Sequence, residues 1–299
     1  MHHIEIPDID YIADIPSDIS ELNREQFLDF ISYYIRYASG EITYDHFRTG
    51  LVNCFIHFRA PLRKIPQGEK ENVLAQVYRL SELMDSFTSL DDSDGVRTRR
   101  VNIHFIKNMI PTIRTKEVIL YGPSDALTDL SFIEFIDAHN LFIEYLSDQD
   151  EEILNKLVAT LYRPEKDNYE KEKQQPSFDG QRRVKYNPNS IEQWLPIIRQ
   201  KSLLVKYGIF LFFSGCEHFL HEGQIPLGSE TINFKDLYNS NATVKSDGTG
   251  LFGLLYTIAE SQVFGSVKDV ADTNLYDIML RMYQLVRQNK PNEINAPAT

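Results

Sequence analysis

The chain has 299 residues, of which 42% are hydrophobic and 12% aromatic, a composition that supports one large domain or two ordinary ones and excludes wholesale disorder. The formal net charge is −12, with 27 acids against 16 bases in residues 1–163, and a surface of that sign argues against nucleic acid as a partner. Because Cys54 and Cys216 cannot form a disulfide framework and no apolar run approaches the roughly 20 residues that span a bilayer, we expect a cytoplasmic protein without a membrane segment.

Helical periodicity dominates the first part of the chain. Asn23 and Gln26 have the spacing of a capping box for a helix that stops at Gly40, and Thr43 is the predicted N-cap of a second helix. A third helix is expected over residues 70–90. Apolar residues at i, i+3 and i+4 spacing predict one inward face for each helix. These faces comprise Phe27, Phe30, Ile31, Tyr34 and Ile35, then Phe47, Leu51, Cys54, Phe55 and Phe58, then Val73, Val77, Leu80, Met84 and Phe87.

Residues 99–121 interrupt this helical pattern. Val101, Ile103 and Phe105 alternate with polar neighbours, and a β-branched run follows just before Gly122. Alternation and β-branching are typical of strands. We therefore expect a small antiparallel sheet of two or three short strands in this region.

Helical spacing returns after the sheet. Ser131 and Glu134 predict a capping box for one helix, Ser147 is the expected cap of the next, and Ser190 that of a later one. The first of these helices is predicted to bury Phe132, Phe135, Ile136, His139, Phe142, Ile143 and Leu146.

Composition divides the chain into three parts. Residues 1–163 are predicted to be an N-terminal helical region with the small β insert. Residues 164–189 contain one aliphatic side chain, Val184, so they cannot bury enough surface to offset their ordering entropy and are predicted to be a flexible linker or exposed loop. Residues 190–299 are predicted to be a C-terminal helical region. The predicted fold class is mainly α, a multi-helix globular fold with a small antiparallel β element around residues 99–121.

One short segment contains several residues of the types that bind metals: Cys216, Glu217, His218, His221 and Glu222. His218 and His221 are three apart and would share a helix face. The H-E-x-x-H pattern is absent, however, and no second Cys/His pair lies elsewhere at ligand spacing. We expect no metal here, because two histidines near the C-terminal end of a helix dipole are the simpler interpretation.

His139 is the other candidate catalytic residue. A general base is one interpretation, but a hydrogen-bonded core histidine is the more frequent case on an apolar helix face. Glu134, Asp137 and Glu144 lie off that face and are expected to be solvated. The chain has no G-x-S-x-G, P-loop or G-x-G-x-x-G motif. The sequence therefore predicts no catalytic, cofactor-binding or metal-binding residue, and a protein that is not an enzyme.

Residues 262–270, followed by a helix from Thr273, have the length of a helix-turn-helix motif. The second helix would present Asn274 and Tyr276, with no basic residue before Arg281. A recognition helix needs donors for phosphates and base edges. We therefore interpret this segment as two helices that meet at a turn, without DNA binding.

The segment LYGPSDALTDLSFIEFIDAHNLFIEYLSDQDEEILNKLVATLYRP, residues 120–164, resembles a protein family from phages and prophages of Bacteroidetes. Members of that family have an extended entry that leads into a helix, an acidic turn and a second helix ending in "LvA.LYRP". The matching residues are Gly122, Pro123, Leu130, Phe132, Phe135, Ile136, Ala138, Leu157, Val158, Ala159, Leu161, Tyr162, Arg163 and Pro164.

The resemblance implies a non-enzymatic phage or prophage structural or assembly protein. Such proteins look like products of tail-module genes, similar in helical make-up to tail assembly chaperones, and would bind tail or virion components in the host cytoplasm, alone or as oligomers. The resemblance transfers no catalytic residue. Two alternatives remain open: a cytoplasmic enzyme whose site is assembled from dispersed residues around His139 or His218, and a regulatory adaptor acting on a host protein.

Overall fold

The computed structural model is mainly α-helical, as the sequence predicts, with small antiparallel sheets of two or three strands. It describes residues 1–6, 11–56, 67–91, 98–178, 180–227, 230–235 and 250–289. Phe58 and the side chain of Val73 lie outside this description. The helices are α1 (Arg24–Ala38), α2 (Tyr44–Ile56), α3 (Gln67–Ser81), α4 (Phe132–Asp148), α5 (Glu151–Leu161), α6 (Tyr169–Glu172), α7 (Ile191–Arg199), α8 (Leu203–Glu222), α9 (Gly250–Glu260), α10 (Val267–Asp272) and α11 (Leu275–Asn289). The strands are β1 (His2–Ile6), β2 (Tyr11–Ile15), β3 (Thr88–Asp91), β4 (Thr98–Val101), β5 (Thr112–Arg114), β6 (Ile119–Tyr121), β7 (Arg163–Pro164), β8 (Gln224–Leu227) and β9 (Glu230–Asn233).

The chain forms two compact units. Unit 1 comprises Met1–Phe105 and Ser202–Leu211, and unit 2 comprises Ile106–Lys201 and Phe212–Thr299. The boundary expected after residue 163 does not coincide with the limits of either unit. The reason is β7, which pairs antiparallel with β6 and so joins both sides of that position into one sheet of unit 2.

Unit 1 begins its helices where the sequence predicts. The Asn23 side chain accepts a hydrogen bond from the Gln26 amide at 2.9 Å, and the Gln26 side chain accepts one from the Asn23 amide at 3.0 Å. The Thr43 hydroxyl accepts from the His46 amide at the start of α2. These capping bonds satisfy backbone amides that would otherwise lack partners at the start of each helix.

The inward faces of α1 and α2 form the aromatic core of unit 1. Phe30 is fully buried, with its ring centroid 6.1 Å from that of Phe47 and 5.6 Å from that of Phe87. The predicted third helix is wrong beyond Ser81, where a 3₁₀ turn leads into β3. The end of that segment, Thr88–Asp91, pairs with β4 instead of continuing the helix.

The β element of residues 99–121 is divided between the two units. β4 pairs with β3 in unit 1, whereas β5 and β6 pair with each other in unit 2. Antiparallel strands are thus confirmed within this range. The expected strand through Ile103 and Phe105 is wrong, because both lie in irregular backbone between the two sheets.

Unit 2 is built around α4 and α5, which pack against each other, and α5 also packs against α7. The Ser131 hydroxyl accepts from the Glu134 amide at the start of α4. Asp150, and not Ser147, caps α5, because α4 continues to Asp148 before the chain turns. The expected cap by Ser190 is also wrong, since its side chain makes no capping bond at the start of α7.

The apolar face of α4 is narrower than predicted. Phe135 and Phe142 are buried, and their ring centroids lie 6.2 and 5.5 Å from that of Phe213. Ile143 and Leu146 are about half exposed, so their expected burial is wrong. The inward face at this end of α4 is therefore carried by Phe142 and Tyr145.

The sequence predicts that the polar segment 164–189 is exposed, but part of it is buried. Arg183 and Tyr186 are buried, and Glu165 forms an isolated β-bridge with Arg183. Among its described residues, the one α-helix is α6, which has four residues. Ion pairs and hydrogen bonds attach this segment to the rest of unit 2, together with the buried ring of Tyr186.

The remaining elements lie toward the C-terminus. β8 and β9 pair antiparallel within residues 190–299, the region predicted to be helical. Among the described residues, α8 is the one helix long and apolar enough to cross a membrane. Of its most apolar 18-residue stretch, 67% is buried inside the protein. A core helix of a soluble protein has the same length and composition. α9 and α10 are joined by a turn in which Gly265 has φ +94°, a conformation that favours glycine.

Candidate functional site

A buried ion cluster lies at the start of α4 in unit 2. Glu134, the third residue of that helix, is 1% exposed. Its Oε1 accepts from Arg163 Nη1 at 2.8 Å and from Arg183 Nη1 at 2.7 Å, and its Oε2 accepts from Arg163 Nη2 at 2.9 Å. One carboxylate thus binds two guanidinium groups.

Further acceptors surround the two arginines. Arg163 Nη1 donates to the carbonyl of Thr160, and Arg183 Nη1 donates to that of Leu161. Arg183 Nη2 lies 3.3 Å from a carboxylate oxygen of Asp129. Charges of both signs are therefore paired in the interior, the condition under which burial is tolerated.

These contacts shift the ionisation of the cluster. Burial alone would raise the pKa of Glu134, but the charges of Arg183 and Arg163 outweigh it and lower that pKa below its usual range. Burial would likewise lower the pKa of Arg183, but the charge of Glu134 outweighs the effect of burial and raises that pKa. Both shifts favour the charged form, of Glu134 and of Arg183 respectively.

The expectation that the acidic residues of α4 are solvated is wrong for Glu134. It is right for Glu144, which is exposed. Asp137 is half-buried and accepts a hydrogen bond at 2.7 Å from the Tyr186 hydroxyl. Helical spacing places both Glu134 and Asp137 off the apolar face, but the polar segment covers them with its own donors.

A pocket of about 270 Å³ opens beside this cluster. It is lined by Ser131, Glu134, Arg163, Lys166, Gln181, Arg183, Lys185, Tyr186 and Asp272. Lys185 at its edge pairs with Asp272 at 2.5 Å, and Lys166 lies 3.5 Å from Glu172. Sequence spacing could not reveal this pocket, because its lining comes from three separate parts of the chain.

His139 pairs with a second buried carboxylate. Its Nδ1 lies 2.8 Å from Oε1 of Glu217 on α8, and its side chain is 28% exposed. Burial alone would lower the pKa of His139, but the hydrogen bond and charge of Glu217 outweigh it and raise that pKa. His139 is therefore a half-buried, hydrogen-bonded histidine.

The residues considered for metal binding do not converge on one point. Cys216 is buried, and its burial raises the pKa of the free thiol. Glu217 is occupied by His139, and His218 is exposed. Burial lowers the pKa of His221. Within the described part of the chain, no group of three or more His, Cys, Asp or Glu side chains is arranged to hold a metal ion.

The residues of the "LYRP" motif have structural roles. The Tyr162 hydroxyl donates to the Ile110 carbonyl at 2.6 Å, and its ring lies against Gly122, where an added Cβ would come within 2.5 Å of it. Asn108, which the sequence analysis did not single out, donates to the Pro123 carbonyl. The motif thus fastens the irregular segment before β5 to the end of α5.

The segment with helix-turn-helix length uses its polar side chains inside the fold. Asn274 Nδ2 donates to the Thr128 carbonyl at 2.8 Å, and the Tyr276 hydroxyl donates to the Ala126 carbonyl at 2.6 Å. Both side chains are thus engaged by the protein itself. This supports the interpretation of two helices that meet at a turn.

An apolar surface lies on α9 and the turn after it. Phe252 and Tyr256, four residues apart on α9, are 38% and 57% exposed, and Val263 and Val267 are 54% and 39% exposed. Tyr256 and Val267 both line an open groove. We call Phe252, Tyr256, Val263 and Val267 the α9 surface. Leu255 and Ile258 of α9 are buried, whereas Ala259 lines the groove together with Tyr256.

No family model, no curated protein and no solved structure matches this chain.

Proposed function

We propose that this chain is a non-enzymatic bacteriophage or prophage protein that acts by binding other phage proteins, as a tail assembly chaperone or a virion component. The observation that carries the proposal is the α9 surface. Its occupant would be an amphipathic helix of a tail or virion component, laid into the groove beside Tyr256.

The composition of α9 supports this proposal. The helix is apolar on nearly all sides, and a helix of that kind is normally buried all round. Here one side packs into unit 2 while Phe252 and Tyr256 remain exposed. Aromatic residues of this kind contribute strongly to protein interfaces, because they cover a large area with few rotatable bonds.

The resemblance over residues 120–164 supports the phage assignment. Its matching residues include Tyr162 and Arg163, whose contacts explain them as supports of the fold. A family that preserves these contacts would preserve the fold of its members, and a binding protein depends on a constant surface shape.

Binding to candidate partners tests the proposal. The full chain would be titrated against each tail protein encoded beside its own gene, and dissociation constants measured by biolayer interferometry. The double variant F252D/Y256D should weaken binding at least tenfold, because truncating central interface aromatics costs about 2 kcal/mol or more. Leu146→Asp, an apolar residue of α4 that is 49% exposed, is the matched control and should bind as the wild type does.

Two results would contradict the proposal. One is the absence of measurable binding to any of these tail proteins. The other is equal affinity of the wild type and the F252D/Y256D variant, provided that circular dichroism shows both to be folded.

The His139–Glu217 hydrogen bond favours a second candidate, a cytoplasmic enzyme. A histidine oriented by a carboxylate is the arrangement of a general base. This candidate predicts turnover of a model ester, phosphate ester or peptide that is lost in His139→Gln. Turnover that persists in His139→Gln, or no turnover at all, would count against it.

A further inference from the structure

A buried hydrogen-bond donor without a partner lies at the pocket of unit 2. The side chain of Arg183 is 0% exposed, and its two terminal nitrogens have acceptors. Its Nε is buried and has no hydrogen-bond partner. A buried donor left unpaired costs free energy, so an occupant that brings negative charge close to this guanidinium would be stabilised.

The lining of the pocket has an excess of positive charge. Its charged residues are Arg163, Lys166, Arg183 and Lys185 against Glu134 and Asp272. Asp129 and Glu172 lie outside the lining, at 3.3 Å from Arg183 and 3.5 Å from Lys166, and they equal this excess in number. On the wall of the pocket itself, the positive side chains outnumber the carboxylates.

The start of α4 adds to this preference. Ser131, the N-cap of the 17-residue helix, lines the pocket. The N-terminus of a helix carries a partial positive charge from its aligned peptide dipoles. This dipole, the two lysines and the arginines therefore act in the same direction.

We propose that this pocket binds a small molecule that carries a phosphate or carboxylate group. Lys166 and Lys185 hold the anionic group at the mouth, above the guanidinium groups of Arg163 and Arg183. The ligand competes with Asp272 for Lys185. The volume of about 270 Å³ restricts the ligand to one smaller than a typical drug-sized molecule. This site is separate from the α9 surface and does not depend on the proposed function.

Titration of the full chain tests this site. Sodium phosphate and sodium acetate would be titrated by isothermal calorimetry, with sodium chloride at equal ionic strength as the reference. We expect saturable binding of phosphate or acetate, and the stronger of the two identifies the ligand group. Lys166→Gln and Lys185→Gln should each weaken it about tenfold, because a charge-assisted hydrogen bond is lost. Asp272→Asn should tighten binding, because it frees Lys185.

A matched control is Lys173→Gln. Lys173 pairs with Glu170 at 2.5 Å, as Lys185 does with Asp272, but it does not line the pocket. This variant should bind the anion as the wild type does. Binding no stronger than that of chloride, or equal affinity in the wild type, Lys166→Gln and Lys185→Gln, would overturn the proposal. A general charge effect would appear as equal weakening in Lys173→Gln, and that result would overturn it too.

Discussion

Arg163 binds the carboxylate of Glu134 through both of its terminal nitrogens, at 2.8 and 2.9 Å, although 29 positions separate the two residues. Both side chains are almost fully buried. This bidentate geometry is the strongest form of arginine–carboxylate contact. The pair joins the end of α5 to the first turn of α4, and Arg183 fastens the polar segment to the same carboxylate.

Removing the charge of Glu134 should destabilise the protein strongly. Glu134→Gln leaves two buried guanidinium groups without their shared anion, and we expect the free energy of unfolding to fall by about 3–5 kcal/mol. Denaturant unfolding measures this loss. Glu144→Gln changes an exposed carboxyl on the same helix and should alter stability by less than about 0.5 kcal/mol. Similar values for the two variants would contradict the role of the ion cluster.

Gly122 should not tolerate a methyl group. In Gly122→Ala the new Cβ would lie 2.5 Å from the Tyr162 ring, so we expect a loss of about 1–3 kcal/mol in the free energy of unfolding. Gly68→Ala is the control, because nothing lies within 4 Å of its Cβ and it sits in α3. Alanine there should leave stability unchanged or raise it by up to about 1 kcal/mol. Equal effects at the two glycines would show that Tyr162 adjusts freely.

The His139–Glu217 pair should make stability depend on pH. The pKa of His139 is raised in the folded protein, so the pair contributes fully below the pKa of an unfolded histidine, about 6.5, and this contribution is lost as pH rises through the folded pKa. The difference in unfolding free energy between the wild type and Glu217→Gln should therefore be larger at low pH and shrink as pH rises. His218→Gln, at an exposed neighbouring position, is the control. A difference that grows with pH would contradict this assignment.

Trypsin should cleave the polar segment after its exposed lysines before it cleaves after its buried arginine. Lys171 and Lys173 are exposed, whereas Arg183 is buried and bound to Glu134. Cleavage after Lys171 or Lys173 should therefore precede cleavage after Arg183, since a protease needs an accessible and locally opened backbone. Mass spectrometry of early digests identifies the site. Cleavage first after Arg183 would show that the ion cluster does not hold this segment.

Local rules predicted some helix boundaries, among them the end of α1 before Gly40, and missed others. Asn23 and Gln26 define the start of α1 because both hydrogen bonds lie within four residues. The predicted end of the third helix was wrong because β3 pairs with β4, and helical spacing within one segment gives no information about a strand partner elsewhere. Ser147 failed as a cap because α4 runs past it to Asp148.

The sequence by itself determined that this protein is mainly helical and which faces of α1, α2 and α4 carry the buried aromatic residues. These properties follow from periodicity over a few turns, which is local. Only the tertiary structure decided that Glu134 is buried and that Arg183 is its partner. A charged residue on a polar helix face is solvated unless another segment brings the opposite charge, and that segment lies 49 positions away. The polar segment is held by these paired charges, because it has too few apolar side chains to be held by burial.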